Sequence, residues 1–144
     1  IHCFEGVTAV IFVAAISEYD QTLFEADSVN RMVEALDLFE EICGIPYFVD
    51  SSIILFLNKC DLFSEKVRNV PIADQEPFRD FDGGDNYDAG VAYFTDKFLE
   101  RSHDPDKQIF HHVTCALDSA NVRVVFDSCK ETIMRQNLAD MGMM

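Results

Sequence analysis

The stretch SSIILFLNKCDLFSEKV, residues 51–67, decides the fold. Its first half is an apolar run from Ile53 to Leu57, which predicts a strand buried in a sheet. Asn58, Lys59 and Asp61 then follow within four positions, before apolar Leu62. In open α/β sheets, ligands bind beyond the carboxyl ends of the strands. These three polar side chains are therefore candidates for a binding site.

Strands and helices are predicted to alternate along the rest of the chain. The run VTAVIFVAA at 7–15 predicts a strand buried on both faces, and a third strand is predicted over 109–114. Amphipathic spacing and turn residues predict helices over 29–43, 62–68, 87–99 and 121–141, with surface loops at 69–86 and 101–107. This order predicts an α/β fold with parallel strands and right-handed crossovers.

Composition limits the class of protein. The chain has 144 residues, enough for one domain with a core, and a net charge of -15 that argues against a nucleic-acid partner. Five cysteines without a C-x-x-C pair predict a reduced protein, and no apolar run is long enough to span a membrane. Because the chain opens on apolar Ile1 without an initiator Met, we expect it to begin inside a larger protein.

The residue types at the two strand ends suit a guanine base. An ionised Asp61 accepts two parallel hydrogen bonds, which matches the N1–H and N2–H donors of guanine and leaves adenine unmatched. The amide of Asn58 can meet the base at N7 and tie the two loops together, and the stem of Lys59 can lie along the base face. The backbone N–H of Ala116, after the next strand, can donate to the guanine O6.

Simpler interpretations remain open at this point. Asn, Lys and Asp are ordinary loop residues, so the motif alone is weak. His112 and Cys115 are too few for a zinc site, the acidic loop 74–88 lacks the spacing of a calcium loop, and the D-x-x-G pattern at Asp80–Gly83 fits a loop coincidence.

The chain resembles the C-terminal part of a heterotrimeric G-protein α subunit. The resemblance rests on IHCFEGVTAVIFVAAISEYD, NRMVEALDLFEEIC, SSIILFLNKCDLFSEKV, HHVTCALDSANVRVVFDSCKETI and NLADMGMM, and only about residues 69–86 and 100–108 look unlike the family. It implies the C-terminal half of a P-loop GTPase (Ras-like) domain over 1–144. Three parallel strands would then carry helices on both faces and a long C-terminal helix.

The resemblance also implies roles for particular residues. Residues 17–30 look like the third switch loop. The guanine-base site would comprise Asn58, Lys59, Asp61, Leu62, Cys115, Ala116 and Leu117. The residues that would contact the βγ dimer and effectors are Ile1, His2, Cys3 and Phe4. The residues that would contact a seven-helix receptor are Met134, Leu138, Met141, Gly142, Met143 and Met144. The intact protein would bind GTP and GDP, hydrolyse GTP and lie at the cytoplasmic face of the plasma membrane.

Departures from the family define what this chain lacks. No G-x-x-x-x-G-K-[ST] occurs, and the helical domain and first two switch regions are missing, so no catalytic residue and no metal ligand is assigned here. The Mg²⁺ ligands of the intact protein would lie outside this chain. Leu117 replaces the usual Thr, and the ending Gly142–Met144 replaces Gly-Leu followed by an aromatic residue. A truncated, non-enzymatic receptor-binding module is the alternative function.

Overall fold

The computed structural model shows strands and helices in the predicted order. It describes residues 9–24 and 28–115, with Arg123, Asp127 and Lys130 as single positions further along. The elements are β1 (Ala9–Ala15), α1 (Arg31–Cys43), β2 (Ser52–Asn58), α2 (Cys60–Asn69), α3 (Tyr87–Leu99) and β3 (Ile109–Val113). Short 3-10 turns lie at Ile16–Glu18, Pro46–Phe48, Ile72–Asp74 and Glu76–Phe78.

The three strands form one parallel sheet in the order β1-β2-β3. Ala15 lies opposite Asn58 on one side of β2, and Leu57 lies opposite Val113 on the other. This register brings the carboxyl ends of all three strands to the same edge of the sheet. The predicted α/β class with three parallel strands is therefore confirmed.

The main core lies on one face of the sheet. Ile53, Leu55 and Leu57 of β2 point to this face, and α1, α2 and α3 all contribute buried side chains to the same cluster. Ile54 and Phe56 point the other way, into a second, smaller cluster. The alternation follows from the two-residue period of a strand.

Aromatic rings join the helices within the main core. Phe94 of α3 has no exposed surface and lies with ring centroids 5.8 Å from Tyr19, 6.0 Å from Phe63, 5.1 Å from Phe78 and 5.2 Å from Tyr93. The contacts with Phe63, Phe78 and Tyr93 are edge-to-face, and such pairs add to the free energy gained by burial. The cluster thereby anchors α2, through Phe63, to α3 and to the segment that follows β1.

The prediction that the first strand is buried on both faces is wrong. Phe12 and Ala14 are buried, whereas Ile11 is 46% exposed and Val13 60% exposed. The physical reason is that Ile11 and Val13 lie on the face away from the main core, on a strand that has, among the described residues, a neighbour on one side only. The central strand β2 has neighbours on both sides and is buried from Ser52 to Leu57.

Three further features differ from the sequence prediction. The segment 69–86 is more than a surface loop, because its apolar side chains Ile72, Phe78 and Phe81 are buried. Helix α2 begins at Cys60 instead of at Leu62, so Asp61 lies in its first turn. Helix α1 begins two residues later than predicted, where the Asn30 side chain caps it by accepting from the N–H groups of Met32 and Val33.

The last predicted helix falls almost wholly outside the described residues. Arg123, Asp127 and Lys130 are helical and exposed, and their spacing of four and three residues is that of one helix face. Helices on the second face of the sheet depend on that segment and stay a prediction. Among the described helices, none is long and apolar enough to cross a membrane.

Candidate functional site

The structure brings together the ends of β2 and β3. The backbone N–H of Thr114 donates to the Leu57 carbonyl at 2.9 Å, and the N–H of Cys60 donates to the Thr114 carbonyl at 3.2 Å. The Thr114 hydroxyl Oγ1 also donates to Oδ1 of Asn58 at 3.2 Å. Thr114 is buried, so these bonds are shielded from water. Asn58 thus ties the two strand ends together.

Lys59 turns the chain from strand into helix in a single residue. Its φ of 63° and ψ of 40° are left-handed, and it is the one non-glycine residue of the described chain with a positive φ. That conformation costs an L-residue about 1–2 kcal/mol. Its carbonyl accepts from the N–H of Phe63 at 3.1 Å, so Lys59 is also the N-cap residue of α2.

The sharp turn places the next acidic residue at the start of a helix. Asp61 lies in the first turn of α2 and is half-buried. A carboxylate near a helix N-terminus is stabilised by the partial positive charge of the unpaired N–H groups. Asp61 therefore lies close to Asn58 and Lys59, at the start of α2.

The remaining predicted site residues divide into two groups. Leu62 is exposed at the start of α2, and Cys115 is half-buried directly after Thr114. The others lie outside the described residues. These are Ala116 and Leu117 of the base set, Ile1, His2, Cys3 and Phe4 of the partner set, and Met134, Leu138, Met141, Gly142, Met143 and Met144 of the receptor set.

The turn from β2 into α2 at residues 58–61 forms a corner at the edge of the sheet. Sequence reasoning missed the charged groups on the β1 side of this corner. The Glu18 carboxylate Oε1 lies 3.9 Å from Nζ of Lys59 and 3.7 Å from Nη1 of Arg31. Nearby, Nζ of Lys66 donates to Asp20 Oδ1 at 2.7 Å and to the Ser17 carbonyl at 2.8 Å. The sequence shows only an acidic stretch after a strand. It does not show which distant lysine or arginine side chains these acids would contact.

The thiol of Cys60 lies next to Asp61 at the start of α2. Burial raises the pKa of the Cys60 thiol, although a hydrogen bond with the Tyr87 side chain opposes that rise. Burial and the adjacent Cys60 raise the pKa of Tyr87 to about 12. Burial thus works against formation of the Cys60 thiolate, the form that thiolate chemistry requires.

One open cavity borders the corner. It has a volume of about 450 Å³ and is lined by side chains from the segment after β1 and from α2, among them Glu18, Lys59, Leu62 and Lys66. It shares Lys59 and Leu62 with the predicted base site, whereas Asp61 and Cys115 lie outside its lining. In the described residues, no three His, Cys, Asp or Glu side chains group closely enough to hold a metal ion.

Comparisons of this chain with a family model and with individual known proteins point to the same family. The model of the family described as "G-protein alpha subunit" matches residues 1–133. The chain is 47% identical over 145 residues to guanine nucleotide-binding protein alpha-17 subunit of Caenorhabditis briggsae, covering 100% of this chain. It is 46% identical over 143 residues to the alpha-3 subunit of Caenorhabditis elegans, covering 99% of this chain.

A fungal relative is equally similar, and all of these relatives are longer. The alpha-1 subunit of Mycosarcoma maydis is 46% identical over 144 residues. The chain spans 40% of the length of each of these three relatives. With a family match over nearly all of its residues and the fold expected for that match, the chain belongs to the G-protein alpha subunit family.

Proposed function

We propose that the protein containing this chain is the guanine-nucleotide-binding α subunit of a heterotrimeric G protein. It acts as a GTPase switch that carries signals from G-protein-coupled receptors to downstream effectors. The observation that carries this proposal is the hydrogen-bonded junction of β2 and β3, which holds Asn58, Lys59 and Asp61 at one edge of the sheet. Family membership supports the same function.

Base recognition rests on Asp61. Its two carboxylate oxygens accept the N1–H and N2–H of guanine as a bidentate pair, which is stronger and more directional than two separate neutral bonds. Adenine has no donor at either position, so it leaves a carboxylate desolvated and unpaired, at a cost of several kcal/mol. Asp61 lies in the first turn of α2, next to Asn58 and Lys59.

The surrounding residues complete the base site. Asn58 faces the base with its amide NH₂ while its oxygen is held by Thr114. The stem of Lys59 covers one face of the ring, and its ammonium lies partly exposed beside Glu18. Leu62, Cys115, Ala116 and Leu117 form the rim, with the backbone N–H of Ala116 directed at O6.

Other functions of the intact protein belong to other segments. Ile1, His2, Cys3 and Phe4 contact the βγ dimer and effectors, and the receptor binds the tail residues Met134, Leu138, Met141, Gly142, Met143 and Met144. The protein works at the cytoplasmic face of the plasma membrane. Phosphate and Mg²⁺ ligands lie outside this sequence, which contains no P-loop motif. No observation favours a truncated receptor-binding module, so we do not propose it.

The base assignment is tested by replacing Asp61→Asn in the full-length protein. Asn presents an amide donor to the O2 of xanthine and loses the paired acceptors for guanine. We expect GTP affinity to fall about 100-fold or more and XTP affinity to rise, measured by competition against a fluorescent nucleotide. Asp96→Asn, an exposed acid on α3, is the matched control and should preserve guanine preference. Unchanged preference in Asp61→Asn would refute the assignment.

A further inference from the structure

Glu18 lies where the end of β1 meets the base-reading corner. Ala15, the last residue of β1, lies opposite Asn58, and the 3-10 turn Ile16–Glu18 follows directly. This register carries Glu18 alongside Lys59. One carboxylate oxygen of Glu18 lies 3.9 Å from Nζ of Lys59 and 3.7 Å from Nη1 of Arg31, so a single acid faces two cations.

The segment that carries Glu18 is fixed on both sides. Ile16, Ser17 and Tyr19 are buried, and the Tyr19 hydroxyl donates to the Val70 carbonyl at 2.7 Å. Nδ2 of Asn30 donates to the Tyr19 carbonyl at 2.6 Å. On the α2 side, Lys66 holds this segment through its bonds to the Ser17 carbonyl and Asp20. The Glu18 side chain therefore projects from a rigid backbone.

Lys59 needs support because its backbone is strained. A left-handed lysine persists only where its surroundings over-determine it. On the β3 side, Thr114 holds the backbone of the corner through Leu57 and Cys60. On the β1 side, the Glu18 carboxylate pairs with the ammonium group at the end of the Lys59 side chain. The corner is thus contacted from both sides. Thr114 after β3 bonds its backbone, and Glu18 after β1 pairs with the ammonium group of Lys59.

We propose that Glu18 is a positioning residue for guanine nucleotide binding. By holding the ammonium of Lys59, it orients the methylene stem of that residue along the face of the base and slows nucleotide release. Glu18 does not touch the nucleotide and acts through Lys59. This inference rests on the proposed function of Asn58, Lys59 and Asp61, and it links the segment 17–30, which resembles the third switch loop, to the affinity for the base.

The expected effect is moderate because the ion pair is partly exposed. The side chains of Lys59 and Glu18 are 42% and 27% exposed, and the separation of 3.9 Å is at the long end for a salt bridge. Pairs of this kind contribute little in water. We therefore expect Glu18→Gln to speed GDP dissociation about two- to fivefold.

The experiment measures release of a fluorescent GDP from the full-length protein. Glu65→Gln is the matched control, because Glu65 is exposed on α2 beside the same cavity. We expect Glu65→Gln to match the wild type and Glu18→Gln to release GDP faster. The difference should shrink as salt rises from about 0.1 to 1 M, because screening removes the ion pair in the wild type.

A double-mutant cycle separates positioning from a general structural role. In a Lys59→Met background, Glu18→Gln should leave the GDP release rate unchanged, because its target is gone. An equal acceleration in both backgrounds would overturn the proposal and assign the effect to Arg31 or to the turn itself. Wild-type release rates in Glu18→Gln would also overturn it. Failure of the base site is a separate result, seen as unaltered guanine preference in Asp61→Asn.

Discussion

Replacing Thr114→Val tests whether the junction of the two strand ends matters for nucleotide binding. Valine keeps the shape of threonine and removes the Oγ1 donor that bonds Asn58 Oδ1 at 3.2 Å. The backbone bonds of residue 114 to Leu57 and Cys60 do not involve the side chain and remain. The substitution is therefore local, and it changes the orientation of Asn58 more than the fold.

The magnitude follows from one lost hydrogen bond. A neutral hydrogen bond contributes a net of about 0.5–1.5 kcal/mol to stability. Because Asn58 is half-buried, water replaces part of the lost interaction. We therefore expect the free energy of unfolding to fall by about 1 kcal/mol. Freeing the Asn58 side chain adds an ordering cost of about 0.5–1.5 kcal/mol when nucleotide binds. GDP affinity should therefore fall about two- to tenfold.

The assay combines thermal unfolding with equilibrium binding of GDP to the full-length protein. Thr95→Val is the matched control, because Thr95 is also buried but lies in α3, away from the strand ends. We expect the control to leave GDP affinity unchanged. If Thr114→Val lost stability but bound GDP as tightly as the control, Asn58 would not depend on Thr114 for its orientation, and the reasoning would be refuted.

Three further predictions concern stability. Gly90→Ala should destabilise the protein by about 1–3 kcal/mol, because the added Cβ would lie 2.8 Å from Cζ of the packed Phe63 ring. Chemical denaturation measures this, and Gly44→Ala, whose added Cβ would meet nothing nearer than 3.6 Å, is the control expected to cost less. Tyr19→Phe should cost about 1–2 kcal/mol by leaving the Val70 carbonyl without its buried donor, and no change in the unfolding midpoint would contradict this. Burial, with His111 adding to it, lowers the pKa of His112, so the unfolded chain takes up a proton at higher pH than the folded one. Stability from this group is then present above about pH 6.5 and is lost as the pH falls through the lowered pKa; His112→Gln should flatten the decline in melting temperature between about pH 7 and 5.

The sequence was sufficient to predict the order of the elements. Continuous apolar runs such as Ile53–Leu57 are typical of buried parallel strands, and the spacing of Met32, Leu36 and Phe39 gave α1 its buried face. These signals are local, because a strand or helix is defined by residues close together in the chain. The polar residues at the end of β2 were found for the same reason.

Features that depend on distant residues were not predictable. The ion pair of Glu18 with Lys59 joins segments far apart in sequence, and no spacing rule connects them. The left-handed turn at Lys59 gave no signal, since lysine rarely adopts it. The burial of Ile72 and Phe78 was hidden in a stretch whose Pro, Gly and acidic residues are typical of an exposed loop.

On the proposed function, the conformation of Lys59 sets the stability of the fold against nucleotide binding at one position. Glycine at 59 would adopt the left-handed geometry without strain, and asparagine would adopt it at a lower cost than lysine. Either substitution would remove the long stem and the ammonium that Glu18 holds. Directed evolution that rewards heat resistance alone should therefore discard this lysine, whereas selection for slow nucleotide release should restore it.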